Sequence, residues 1–175
     1  MTAARIRALA CVAVLACASA AHGQPPPELA KLQFLVGDWN AIGSPPGESG
    51  AFIFSLAVQD RIIVRTNYAT YAAREGRPAS RHDDLMVIFV EDGALKADYF
   101  DSEQHVIHYA IDVRGPRDAV FVSPPKAAEP RYRLSYALGA DGLLKGTFEI
   151  AAPGAPDDFK TMLAWTARKA GRRSK

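Results

Sequence analysis

Beyond residue 23 the chain holds three histidines, His82, His105 and His108, and no cysteine, so the material for transition-metal or thiol chemistry is thin. His105 and His108 stand three apart in a segment that reads as a strand. That spacing sends their side chains to opposite faces and keeps them from sharing one ion. His82, Asp83 and Asp84 offer ligand atoms, but read as a polar loop feeding the strand at Leu85 they need no metal, and none is expected. Ser55 and Ser135 fall within strands, not in a glycine-flanked strained turn, so no catalytic triad assembles. Asp98 and Asp101 are neighbouring carboxylates. A hairpin turn accounts for Asp101, and Asp98 shares a face with Lys96 as in a surface ion pair. Gly37, Gly43, Gly47 and Gly50 follow a helix instead of opening one, which makes no phosphate cradle, and no cofactor is expected.

The aromatic residues say more. Tyr68, Phe89, Tyr99, Tyr109, Tyr136, Phe148 and Trp165 fall on the predicted inner faces of strands, and a buried tyrosine needs a partner for its hydroxyl. An apolar lumen carrying a few hydroxyls suits a fatty acid, an isoprenoid or a small aromatic compound, with Tyr68, Phe89, Tyr99, Tyr109, Tyr136 and Trp165 as its contacts. Each buried ligand methylene would contribute about 0.8 kcal/mol. Two other readings stay open. The same rings fill a packed barrel that serves as an envelope interaction module. Alternatively, the barrel is an isomerase, cyclase or hydrolase with Tyr99, Asp98 or His108 as acid or base, a reading that gains if the register is off by one residue.

These side chains need a scaffold, and the spacing of apolar residues supplies one. Leu29, Leu32 and Leu35 predict a short helix over 28–36, with Pro27 in its first turn, Glu28 complementing its dipole and Gly37 ending it. From Trp39 the period changes to two. Strands are predicted at 38–43, 50–58, 61–71, 84–91, 94–101, 104–113, 118–123, 131–138, 143–150 and 158–168, separated by turns such as Glu91-Asp92-Gly93 and Ala140-Asp141-Gly142. Ile62, Val64, Thr66 and Tyr68 fall on one side of their strand, with Ile63, Arg65 and Asn67 on the other. Ile107, Tyr109, Ile111 and Val113 share a face, as do Tyr132, Leu134, Tyr136 and Leu138. Strands this closely connected, with one short helix, predict an all-β fold: a single antiparallel up-and-down barrel of about ten strands over 28–169. The run Leu85 to Val90 is apolar on both faces, so either the N-terminal helix or a partner subunit in a homodimer is expected to cover its outside.

The first 23 residues read as a signal peptide: Arg5 and Arg7, an apolar run from Ala8 to Ala21, then Ala21-His22-Gly23 as the exit. That predicts a periplasmic or secreted chain starting near Gln24, with a proline-rich lead-in over 24–27 and no integral membrane segment after cleavage. Both cysteines, Cys11 and Cys17, would leave with the leader. The competing reading takes Val14-Leu15-Ala16-Cys17 as a lipobox and anchors the protein through a lipid on Cys17. Taking Arg5 and Arg7 from 21 basic residues leaves 19 against 19 acidic, and a formally neutral chain is no partner for nucleic acid. Residues 170–175 form a short basic tail.

Leu32-Gln33-Phe34-Leu35-Val36-Gly37-Asp38-Trp39 resembles the opening of the lipocalin-like calycins, where a short helix leads into a Gly-x-Trp on the first strand. The chain is most similar to the ten-stranded nitrobindin-like and fatty-acid-binding-like branch. Ala97-Asp98-Tyr99-Phe100-Asp101-Ser102, followed by Val106 and Tyr109, resembles the mid-barrel hairpin of uncharacterised bacterial members. The resemblance implies a barrel that binds an apolar small molecule, and a structural pair in which Arg168 stacks over Trp39. It departs from the haem binders of that branch: the first strand continues Asn40-Ala41-Ile42-Gly43, and the last run, Phe159 to Arg168, has no histidine to ligate iron.

Overall fold

The computed structural model describes residues 24–171, so the expected leader, Cys17 and the end of the basic tail lie outside the described residues. The chain is all-β. After a four-residue helix α1 (Pro27–Ala30) come ten strands: β1 (Gly37–Ile42), β2 (Ser49–Ala57), β3 (Ile62–Tyr71), β4 (Ser80–Glu91), β5 (Ala94–Asp101), β6 (Val106–Gly115), β7 (Asp118–Val122), β8 (Arg131–Leu138), β9 (Leu143–Ala151) and β10 (Lys160–Lys169). Every strand pairs antiparallel with its sequence neighbour, and β1 pairs with both β2 and β10, which closes the sheet into a barrel without edges.

The predicted helix splits in two. α1 is followed by a single 3-10 turn at Gln33–Leu35, because leucines spaced by three fit the tighter helix at least as well as the α period. Leu29, Leu32 and Leu35 are all buried to 1% exposure or less and plug one end of the barrel, with α1 packed against β4 and β5. Trp39 locks this plug to β1 by donating its indole N–H to the Leu35 carbonyl at 2.8 Å. The tight turns at 92–93 and 139–142 lie at the plugged end. The longer connections 43–48, 72–79, 123–130 and 152–159 surround the other end, the mouth.

Which face of each strand points inward follows from the pairing. Ile63 pairs with Ile88 and Arg65 with Met86, and all four are buried. The inner face of β3 is therefore Ile63, Arg65 and Asn67, opposite to the expectation. Tyr68 lies on the outer wall, 37% exposed, with the Arg81 guanidinium 4.7 Å from its ring centre. Phe89 is likewise on the outer side of β4, since Met86 and Ile88 take the inner positions. Both reversals have one cause: Ile62-Ile63-Val64 and Leu85 to Val90 are apolar on both faces, so only the neighbouring strands fix the phase. β4 also begins at Ser80, earlier than predicted, and so His82 and Asp84 are strand residues facing inward.

Candidate ligand site

At mid-height the lumen is braced by aromatic rings. Phe52 and Phe54 on β2 reach Tyr136 on β8 with ring centres 6.3 and 5.5 Å apart, and Tyr136 also meets Phe121 and Trp165 edge-on at 5.9 and 6.0 Å. Tyr109 packs edge-on against Phe121 at 6.2 Å. Gly146 on β9 makes room for this brace, because a Cβ there would fall inside the Trp165 ring. The lumen is thus divided: below the brace lie aliphatic residues and the leucine plug, above it the mouth. Tyr99, Tyr132, Phe148 and Trp165 face inward above or beside the brace yet are only half-buried, so solvent reaches them from the mouth.

The floor of the mouth carries a charge that the sequence reading placed outside. Arg65 is buried and donates from Nη1 to Asp84 Oδ1 at 2.7 Å; the Asp84 side chain is itself only 4% exposed and accepts a second bond from Asn67 Nδ2 at 2.7 Å. Alternation puts Arg65 on the face opposite Tyr68, read as the outer one, because Ile62-Ile63-Val64 leaves the phase of β3 open. The missed signal was Asn67 two residues on and Asp84 on the next strand, polar residues at the same inner phase. The guanidinium also lies 5.6 Å from the Phe52 ring centre. Two buried polar atoms find no hydrogen-bond partner among the described residues: Arg65 Nε and the Tyr136 hydroxyl.

The electrostatics follow the burial. Burial pushes the Tyr136 phenol up, the positive Arg65 pulls it back, and it settles at about 12. Burial also raises Tyr99 and Tyr109; the Asp84 carboxylate adds to the rise at Tyr99, and the neighbouring Tyr136 adds to it at Tyr109. All three phenols are therefore protonated donors at neutral pH. Higher in the mouth, His82 Nε2 sits 3.2 Å from the Tyr99 hydroxyl and 3.5 Å from Asp84 Oδ2.

No family model and no curated protein matches this sequence. The site therefore rests on its geometry alone.

Of the aromatic residues expected to line the lumen, Tyr99, Tyr109, Tyr136, Phe148 and Trp165 face inward and converge on the brace or the mouth, while Tyr68 and Phe89 do not. The expected Trp39–Arg168 stack is replaced by another pair. Arg168 is opposite Asn40 and exposed; Lys169 is opposite Trp39, with its Nζ 5.5 Å from the Trp39 ring. One residue of parity decides which cation crosses the indole. Asp98 does not pair with Lys96, which binds Glu91; it pairs with His108 at 2.6 Å on the outer wall. Among the three residues considered as acid or base, only Tyr99 faces the lumen.

Proposed function

We propose that the chain is an exported small-molecule-binding barrel whose ligand enters at the mouth and places a carbonyl or carboxylate oxygen against Arg65 and Tyr136. One observation carries this: among the described residues the buried Arg65 Nε–H has no hydrogen-bond acceptor, and the buried Tyr136 hydroxyl, whose phenol the Arg65 guanidinium influences, has no acceptor for its own proton. Buried polar atoms in native proteins nearly always find a partner, and a ligand oxygen would satisfy both donors at once. The ligand body would lie against Tyr99, Tyr132, Phe148 and Trp165. The aromatic brace leaves no continuous lumen for a long chain, which favours a short or flat molecule over the fatty acid of the sequence reading. The leader-like residues 1–23 support export, and amino-terminal sequencing of the periplasmic protein would test it.

The test compares 1-naphthoate with 1-naphthylmethylamine by tryptophan fluorescence titration. The carboxylate is expected to bind and the ammonium to be rejected, because only an acceptor suits Arg65. The Arg65→Met/Asp84→Leu variant removes both charges together, and so is expected to fold and to lose naphthoate. Equal binding of the two probes, or naphthoate binding kept in that variant, contradicts the proposal.

A second reading is favoured by the outer wall. Ile53, Thr66, Leu85, Phe100 and Val106 are successive cross-strand partners, forming one exposed row over β2 to β6 with a shallow groove of about 270 Å³ beside Ile53, Tyr68 and Arg81. Such a row suits pairing with a second copy of the chain through sheet faces. Sedimentation would show a dimer that Leu85→Lys converts to monomer; a monomer at all concentrations removes the reading.

A further inference from the structure

At the mouth, adjoining the ligand floor through Asp84 and Tyr99, the fold gathers residues from two strands and the turn that follows the second. His82 on β4, Asp101 at the end of β5 and Glu103 in the following turn offer ligand atoms that all lie within 4.8 Å of one another. His82 Nδ1 is 3.4 Å from Glu103 Oε1. His105 joins from the same turn, its Nδ1 2.9 Å from Asp101 Oδ2 and 3.9 Å from Glu103 Oε2.

We propose that His82, Asp101, Glu103 and His105 form a site for a divalent transition-metal cation of the zinc class. Four donors at the zinc distance of about 2.0–2.1 Å stand about 3.4 Å apart in a tetrahedron. The atoms of His82, Asp101 and Glu103 lie within 4.8 Å of one another, and the exposed His105, 2.9 Å from Asp101 and 3.9 Å from Glu103, would complete the set by a side-chain rotation. The donor set, two imidazoles with two carboxylates, selects zinc over calcium or magnesium, which favour all-oxygen shells.

The charge balance points the same way. The nearby Arg65 is engaged by Asp84, Arg81 by Asp83 on the outer wall, and Arg74 by Glu48. Among the described residues the ion-pair partners of Asp101 and Glu103 are histidines only. With neutral imidazoles the cluster carries two negative charges, one of them on a carboxylate only 5% exposed, and a divalent cation cancels them.

A supporting shell is also in place. His82 presents Nδ1 to the cluster while its other nitrogen faces Asp84 Oδ2 and the Tyr99 hydroxyl. The Tyr99 hydroxyl at 3.2 Å holds the ring's orientation, as an outer-shell partner does for a metal-binding histidine, and the Asp84 carboxylate lies 3.5 Å away. Asp101 Oδ1 accepts the backbone N–H groups of Glu103 and His105, both at 2.9 Å, which folds the turn so that both side chains return to Asp101. The sequence reading weighed His82 only with its chain neighbours Asp83 and Asp84, whereas Asp101 and Glu103 reach it from across the sheet.

The test is calorimetric titration of the chelator-treated, tag-free protein with Zn²⁺, alongside visible absorption with Co²⁺. One equivalent of Zn²⁺ is expected to bind and raise the melting temperature, and Co²⁺ is expected to give the intense bands of a tetrahedral site. Glu103 is largely exposed, so Glu103→Gln keeps the fold; it and His82→Gln are each expected to weaken binding at least about tenfold. Absence of stoichiometric Zn²⁺ binding, binding unchanged in both variants, or Ca²⁺ bound in preference to Zn²⁺ overturns the proposal. Glu103→Gln separates the two readings, since Glu103 is not among the ligand contacts: naphthoate binding kept while Zn²⁺ weakens is the expected result. Zn²⁺ binding unchanged in it and in His82→Gln overturns the metal site alone, and failure of naphthoate to bind the unaltered protein overturns the ligand reading alone.

Discussion

Arg65 and Asp84 carry no net charge together, and that neutrality lets a guanidinium sit in an aromatic lumen. Removing one partner is a different matter from removing both. Arg65→Met leaves Asp84 buried and unpaired and is expected to cost about 3–5 kcal/mol in urea denaturation, whereas the Arg65→Met/Asp84→Leu pair is expected to restore most of the loss. The tyrosines give a second prediction at this scale. Tyr99, Tyr109 and Tyr136 have folded values above the ordinary phenol range, so the neutral form is favoured by folding. That contribution is complete below about pH 10 and is lost as pH rises through the folded values, near 12 for Tyr136. Absorbance titration is therefore expected to show these three still protonated at pH 11, with their ionisation coinciding with alkaline unfolding. The inward phenols were legible from alternation around Tyr109 and Tyr136. Arg65 was not, since Ile62-Ile63-Val64 leaves the phase of β3 open and periodicity cannot see an aspartate one strand away.

At the scale of elements, strands with one polar face declared their orientation and strands with two apolar faces did not. β6 and β8 alternate cleanly, and their inner residues were read correctly. β3 and β4 contain apolar pairs and runs, and their phase came only from pairing with each other. The β9–β10 contact gives a sharp test of strand register elsewhere in the barrel. Gly146→Ala would drive a methyl into the Trp165 ring, and it is expected to cost about 1–3 kcal/mol and to shift tryptophan emission. On the outer side of β8 and β9, Arg133 forms two bonds to Glu149, from Nε at 2.6 Å and Nη2 at 2.8 Å. The hydrogen bond from Arg133 holds the Glu149 carboxyl below its ordinary range. A depressed carboxyl stabilises the fold above the unfolded value and loses that contribution as pH falls through the folded one. Glu149→Gln is thus expected to flatten the stability loss below about pH 4.5, by up to about 1 kcal/mol for a pair this near the surface.

For the whole molecule, the decisive feature is closure: β1 bonded on both sides, a leucine plug at one end and a polar mouth at the other. The count of strands, their antiparallel order and the leading helix were all legible, because short alternating runs with tight turns leave few ways to hide one apolar face. The division of the lumen was not legible. Ring-to-ring contacts across the barrel depend on diameter and tilt, which no local pattern encodes. The central claim, that the unpaired donors of the lumen await a ligand oxygen, is tested most directly by the Nε–Hε resonance of Arg65 in ¹⁵N–¹H spectra during a 1-naphthoate titration. A downfield shift of that one arginine signal that saturates with the probe is the predicted result. A signal that stays fixed while tryptophan fluorescence reports naphthoate bound would contradict the account.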